Sequence, residues 1–354
     1  MIKGIATWGP FQSLTSLQSC QPFISAFDVN LTLQRFYLPS KRSLFTRPIA
    51  DWRLVRRLKV EAWDYALLNS GASLLLRPDL LEKLLQVCQD RSIAPVVVWH
   101  NHLGKFDEIK DRIGDQRYNA LRSKLRSPEV NHLAVSSQTA SDISIELEID
   151  APPNIRNCRA IPSEYQEIRK PSSARSIISV AQVNANKRPD RFVDIAERVC
   201  REDKEVEFLW IGGQAPTELK ARIEKGGFSS RIRFLPFTND PFKYMVEAYA
   251  LILPSQQEAF GLVLAEAMGV GRTVYCFDGT GAAEVSGSKD QVFEQDDLEG
   301  PVRAITALLR KSPTDAINWD ARERYVALYS PEAYARSLAS EIHKAVDSFR
   351  SVTN

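Results

Sequence analysis

The sequence predicts an α/β protein of two Rossmann-like, doubly wound domains, and three observations predict it. Apolar runs of strand length alternate with helical patterns along most of the chain, which argues for parallel sheets. One stretch, 150–174, breaks the alternation with Pro, Ser and charge, and reads as a link between domains. At 354 residues the chain is long enough for two complete cores.

The elements follow in order. Ile2–Thr7 reads as a first strand, and Trp8-Gly9-Pro10 turns the chain into a helical stretch reaching about Ala26. Leu31–Leu38 and Asp64–Asn69 are strands. Between them, Trp52, Val55, Leu58 and Ala62 fall at helical spacing among Arg53, Arg56, Arg57 and Lys59. Leu80–Asp90 is a helix with Leu81, Leu84, Leu85 and Cys88 on one face. Pro95–Trp99 is a buried strand ending at His100, and Leu133–Ser136 is a short strand leading into a helix at Gln138–Ser141. After the link, strands at Ser176–Val180, Val206–Trp210, Ile232–Leu235 and Leu251–Leu253 alternate with helices at Pro189–Cys200, Pro216–Lys225 and Pro241–Tyr249. The strand Val206–Trp210 runs into Gly212-Gly213. Two such units would form a cleft between the carboxyl ends of their sheets, where ligands bind in folds of this kind. Pro331–Phe349 is a helical tail.

Composition narrows the function. Forty-six Lys and Arg stand against 44 Asp and Glu, a net charge of +2, so bulk charge does not mark a nucleic-acid binder. Residues 1–60 are uneven, however, with nine basic residues against Asp28 and Asp51. That excess suits an anionic partner or membrane surface, or simply a solvated basic face. A basic helix over 51–63, with tryptophans at each end, could lie on an anionic bilayer or pack its apolar stripe inward. Five scattered cysteines without a CxxC fit free thiols in a reducing compartment. The N-terminus has no signal-peptide pattern and no run of 18 apolar residues occurs, so a cytoplasmic location is expected. The histidines show no zinc spacing with cysteine, and P-loop and nucleophile-elbow patterns are absent.

The chemistry concentrates in Pro254-Ser255-Gln256-Gln257-Glu258-Ala259-Phe260-Gly261, followed by Leu262-Val263-Leu264-Ala265-Glu266-Ala267-Met268-Gly269. The second half is a helix with almost no polar face, yet Glu266 sits in its middle, and a buried carboxylate is costly without a strong partner. Gly261 allows close approach of the backbone at the helix start. Free amides there make a ready anion site. Two carboxylates flanking an anion site suit sugar hydroxyls and a ribose diol around a diphosphate. Two other readings stay open. Ser255-x-x-Glu258 fits a capping box that would start the helix near Gln256, and Glu266 could pair with a structural arginine.

Glu258 and Glu266, with seven residues between them and their flanks Pro254-Ser255, Phe260-Gly261-Leu262 and Glu266-Ala267-Met268, resemble retaining GT-B glycosyltransferases, specifically glycosyltransferase family 4. Gly269–Val274 resembles that family's strand entry, and Phe277–Glu284, with Gly279 and Thr280, its next phosphate-facing loop. The match is strong over about 175–330 and weak before it. The resemblance implies a hexose transferred from a nucleoside-diphosphate sugar to an acceptor hydroxyl with retention, in glycan, polysaccharide or glycolipid synthesis. It implies no resident metal or other cofactor. Glu258 would hold donor-sugar hydroxyls and Glu266 the ribose diol. Amides at Phe260, Gly261 and Leu262, together with Gly213, would face the donor. Lys187 would neutralise the leaving diphosphate. The family's partner arginine is replaced by Gln182, so either Arg188 or another cation substitutes, or the enzyme is slower, or the scaffold binds without transfer. His100, or His102, would meet the donor sugar from the first domain, and Gly9 would stand on the acceptor side. A hydrolase or epimerase on the same fold is a third reading. The domains are placed at 1–168 and 172–330, and in GT-B proteins a tail such as 331–354 packs back on the first.

Overall fold

The computed structural model describes residues 2–8, 31–37, 47–69, 77–100, 104–172 and 174–353. Gly9, His102, Cys20, Lys41, Arg42 and the helical stretch up to Ala26 lie outside them. The chain divides into two compact units, 1–160 with 330–354 and 161–329. The first break falls at 160/161 rather than 168. Just past this stretch, the Arg272 guanidinium donates to the carbonyl of Arg169 and holds it to the second unit. Tyr165 adds a hydroxyl bond to Asp240 of 2.6 Å.

The first unit contains β1 (Ile2–Trp8), β2 (Leu31–Tyr37), α1 (Arg47–Val60), β3 (Tyr65–Asn69), α2 (Pro78–Asp90) and β4 (Ala94–Trp99). Then come α3 (Gly104–Ile113), α4 (Asp115–Leu125), β5 (Asn131–Ala134) and α5 (Ser137–Leu147). The strands form one parallel sheet in the order β2-β1-β3-β4-β5. β4 is buried throughout, as expected of a parallel strand covered on both faces. The sequence reading assigns no element to 104–125. Its charge density hides two short stripes, Phe106 with Ile109 and Tyr118 with Leu121 and Leu125, which bury on either side of Gly114 at φ +82°. β5 ends two residues before the expected Ser136, because Ser136 instead caps α5 by accepting from the Thr139 amide at 3.1 Å.

α1 packs inward. Leu54, Val55 and Leu58 are buried, while Arg53, Arg56, Arg57 and Lys59 are exposed. Trp63 does not flank a membrane face: it lies past the helix end, buried, and donates its indole N–H to the Arg57 carbonyl. Ala62 also lies past the helix and is exposed. Of the two tryptophans only Trp52 is open, at 58%. No helix among the described residues is long and apolar enough to cross a membrane.

The second unit contains β6 (Ser176–Val180), α6 (Pro189–Glu202), β7 (Glu207–Ile211), α7 (Thr217–Lys225), β8 (Ile232–Leu235), α8 (Phe242–Met245) and β9 (Ala250–Leu253). α9 (Leu262–Gly269), β10 (Thr273–Phe277), α10 (Gly281–Ser286), β11 (Val292–Phe293), α11 (Glu299–Leu309) and α12 (Trp319–Leu328) follow. Its parallel sheet has the order β11-β10-β9-β6-β7-β8. That is the doubly wound order of dinucleotide-binding folds, with the direction of winding reversing between β6 and β9. α8 stops far short of Tyr249 because the buried Arg272 takes the carbonyls of Met245 and Val246, at 3.1 and 2.8 Å. Burial lowers the pKa of that guanidinium to about 10, which leaves it charged at neutral pH. The terminal helix α13 (Pro331–Thr353) belongs to the first unit. The four described cysteines are buried and form no disulfide among the described residues.

His132 and His100 give the first unit a pH dependence. The Trp99 indole N–H donates to His132 Nδ1, and His132 Nε2 meets the Leu125 carbonyl, both at 2.9 Å. Those bonds fix a neutral Nε2–H imidazole, and burial pulls both His132 and His100 from 6.5 down to about 4. A base depressed in the folded state contributes stability fully above the unfolded value, and that stability is lost as pH falls towards the folded value. The full chain should therefore lose thermal stability from pH 7 to 4.5, and His132→Gln should lose less over the same range. Parallel curves for the two proteins would show that His132 does not carry the effect.

Candidate functional site

Lys187 and Glu258 meet at the topological switch point of the second sheet. β6 and β9 pair in parallel, and the loops leaving their carboxyl ends carry residues 181–188 and 254–261. In such sheets the crevice at the switch point is where ligands bind. Asn184 caps a single turn, Ala185–Lys187, by accepting from the Lys187 amide at 3.1 Å. Asn186 then clasps the second loop. Its carbonyl accepts from Gln256 N at 2.8 Å, its Oδ1 accepts from Gln257 N at 3.0 Å, and its Nδ2 donates to Gln257 O at 3.0 Å. This clasp sets Lys187 Nζ against Glu258 Oε2 at 2.5 Å, with both side chains about four-fifths covered.

The Glu258 loop is also tied to the next one. Its carbonyl accepts from Gly281 N at 2.7 Å, at the start of α10. The helix α9 begins at Leu262, so Ser255-x-x-Glu258 is not its capping box. Gly261 is the N-cap, left-handed at φ +85°. A side chain there would be strained, and its Cβ would lie 3.1 Å from Ala282 and 3.3 Å from Leu253. The N-termini of α9 and α10 thus sit against each other beside Glu258. Glu266 is 5% exposed, within a helix whose other residues are apolar or Gly. The Phe260 ring packs edge-on against Tyr329, so only its backbone can face a ligand. Thr280 is buried and donates to the Phe277 carbonyl at 3.1 Å, while the space around Gly279 is open.

The remaining candidates separate from this cluster. Gln182 is exposed on the β6 loop. Gly212 and Gly213 close on the same loop: a Cβ on Gly212 would sit 2.2 Å from the Ala181 carbonyl oxygen, and one on Gly213 3.0 Å from Val183. Loop packing therefore accounts for both glycines. Arg188, left-handed at φ +50°, folds back in a bidentate contact with Asp190. Its charge is thus already matched, and Lys187 is the cation presented to Glu258. His100 belongs to the first unit, at the end of β4, half-buried, with Asn157 Nδ2 3.5 Å from its Nδ1.

Sequence reasoning missed the residues that set the two loops in register. Asn186 looks like part of a polar surface loop. Arg191, in an amphipathic helix, looks like a solvated charge, yet it is 2% exposed. Its guanidinium donates to the Pro254 carbonyl and to Gln295 Oε1, both at 3.1 Å, and lies 4.1 Å from the Phe277 ring. Gln295 in turn donates to the Asp278 carbonyl at 2.7 Å. One arginine therefore ties the Glu258 loop to the Thr280 loop. Arg191→Met keeps the bulk and removes the donors, which should cost about 1–3 kcal/mol. Urea unfolding checks this through a lower midpoint at unchanged slope; an unmoved midpoint would make Arg191 dispensable.

Known proteins agree with this architecture. Residues 174–311 match the family model for glycosyl transferases group 1. The phosphatidylinositol N-acetylglucosaminyltransferase gpi3 subunit of Schizosaccharomyces pombe is 25% identical over 217 residues, covering 57% of this chain and 47% of that protein. The chain thus spans about half the length of that relative. A TarM variant from S. aureus, solved with fondaparinux, α-GlcNAc-glycerol and UDP, is similar with a TM-score of 0.64 at 19% identity, over 82% of this chain and 58% of that one. HepE from Anabaena, solved with UDP and glucose, gives 0.68 at 14% identity, over 97% and 100%. The chain thus has the two Rossmann-like units of the GT-B fold, and its residues 174–311 are similar to glycosyl transferases group 1.

Proposed function

We propose that the chain is a nucleotide-sugar-dependent glycosyltransferase that moves a hexosyl group to an acceptor hydroxyl with retention. The observation that carries this is the Lys187–Glu258 pair at the switch point, between two converging helix N-termini. A diphosphate entering there would draw Lys187 to itself. Glu258 would then be released to accept hydroxyls of the donor sugar. Glu266 would accept the ribose diol, since one carboxylate can take both hydroxyls. As the C1–oxygen bond to the diphosphate breaks, charge grows on the leaving oxygen, and Lys187 stabilises it. The acceptor oxygen bonds C1 on the same face, and its proton passes to the leaving phosphate. No resident metal is needed in this scheme.

The HepE and TarM complexes contain UDP, which makes UDP-sugars the first donors to test. The curated relative is named for a phosphatidylinositol acceptor, so a lipid-linked acceptor fits, alongside glycans. The exposed arginines of α1 would then bring the protein to an anionic membrane face in the cytoplasm. Retention of the protein on anionic vesicles at low salt, lost at high salt, tests this; equal retention on neutral vesicles would remove it. A scaffold that binds the donor without transfer is the less supported reading, since it rests on Gln182 alone.

A thermal-shift screen against UDP-, GDP- and ADP-sugars, followed by transfer assays, tests the whole reading. Glu266→Gln should weaken nucleotide binding for every donor sugar by about 1.5–3 kcal/mol, read by calorimetry. Unchanged affinity in a folded variant would sink the ribose assignment. Lys187→Ala should lower turnover at saturating donor about 100- to 1000-fold, and normal turnover would return Lys187 to a structural role.

A further inference from the structure

The first unit holds a second concave site that the proposed transfer reaction does not use. It is a cavity of about 630 Å³ between α1, the start of α2 and the α3–α4 corner, within the size range of small-ligand pockets. Among the described residues, four cations line it, Arg77, Lys83, Arg112 and Arg117, against one carboxylate, Asp79. Asp79 is taken by Arg117. Lys83 and Arg112 have no acidic partner among the described residues. The floor is different in character: Val55 and Leu80 are buried apolar side chains. Trp52 stands on the rim, exposed, with the Arg56 guanidinium 5.2 Å from its ring.

A flat solvated face would let such cations spread apart. Here the backbone of three helices gathers them around a hollow with an apolar floor, and like charges held together repel. An anion carrying two or more negative oxygens relieves that repulsion and can take charge-assisted hydrogen bonds from several guanidinium and ammonium groups. The apolar floor and the open tryptophan suit the carbon skeleton attached to such a group.

We propose that this cavity binds a phosphate-bearing ligand, with Lys83 and Arg112 as the principal anion contacts. Two sources share that chemistry: a phospholipid headgroup, which would deepen the membrane contact proposed above, and a soluble phosphate compound. The site stands apart from the donor reading, since none of its residues lies in the second unit. Failure of UDP-sugar binding would leave it untouched.

The test compares the full chain with Lys83→Ala/Arg112→Ala. Both positions are exposed, so the variant should fold and match or exceed the wild type in thermal stability without anion. One arm measures thermal shift with sodium pyrophosphate at constant ionic strength. The other measures co-sedimentation with phosphatidylglycerol against phosphatidylcholine vesicles. Each basic residue near an anionic surface is worth about fivefold in binding, so the double variant should lose about 30-fold in vesicle partitioning. Loss of the pyrophosphate shift would assign a soluble phosphate ligand, and loss confined to the vesicle arm a lipid headgroup. Pyrophosphate bound at the donor loops is common to both proteins and cancels in the comparison. A variant equal to the wild type in both arms overturns the proposal.

Discussion

The candidate donor site depends on the reversal of strand order between β6 and β9. β6 continues into β7 on one side of the sheet, and β9 into β10 on the other. Their connections therefore leave the carboxyl edge in opposite directions, and the space between the first two loops is left uncovered. A continuous winding would have placed one helix over it. Everything distinctive in the second unit is built around that gap: the Asn184–Lys187 turn, the clasp by Asn186, and the abutment of Gly261 on Ala282.

Loops of this kind have no ladder to fix them, and buried or half-buried guanidinium groups replace it. Arg191 holds the Pro254 carbonyl and, through Gln295, the Asp278 loop. Arg272 ends α8, and Arg324 takes the last carbonyls of α10, Val285 at 3.0 Å and Glu284 at 2.7 Å. Each guanidinium binds backbone oxygens rather than a carboxylate. The cost of burying its charge is offset by several charge-assisted bonds and, for Arg272 and Arg324, by the negative end of a helix dipole. A guanidinium offers five donors in a fixed plane, so it can set two segments in register at once. Lysine could not do this from the same position.

The legibility of the sequence follows the same division. Strands buried on both faces, such as β4 and β9, are visible as apolar runs, because their environment leaves no other composition. The α/β class and the glutamate pattern are legible for that reason. Helices such as α3 and α4 are not, since their buried stripes are only two or three residues long amid charge. The start of α9 is misread if Ser255-x-x-Glu258 is taken as a capping box. Ser255 Oγ is buried without a hydrogen-bond partner and caps nothing; the left-handed Gly261 makes the turn instead. Arg191 and Asn186 escape notice because a clasp between residues more than 60 positions apart leaves no local periodicity. What they hold is a carbonyl, which has no sequence signature.

The exchange of Gln182 for a cation takes a different meaning once the charges are placed. With two cations on the β6 loop and one carboxylate on the β9 loop, the empty site would carry an excess positive charge. With Gln182 exposed and Arg188 matched by Asp190, Lys187 and Glu258 balance each other one to one. In the proposed reaction such a balanced pair is a closed latch. A diphosphate must take Lys187 from Glu258, and the cost of opening a partly buried ion pair falls on the donor. Glu258 recovers that cost only by finding hydroxyls to accept. The two ends of the donor are then coupled, because the phosphate opens the latch and the sugar satisfies the carboxylate left behind. An arginine at 182 would hold diphosphate without opening anything. In the proposed reaction its absence would shift discrimination from nucleotide alone towards nucleotide with sugar attached.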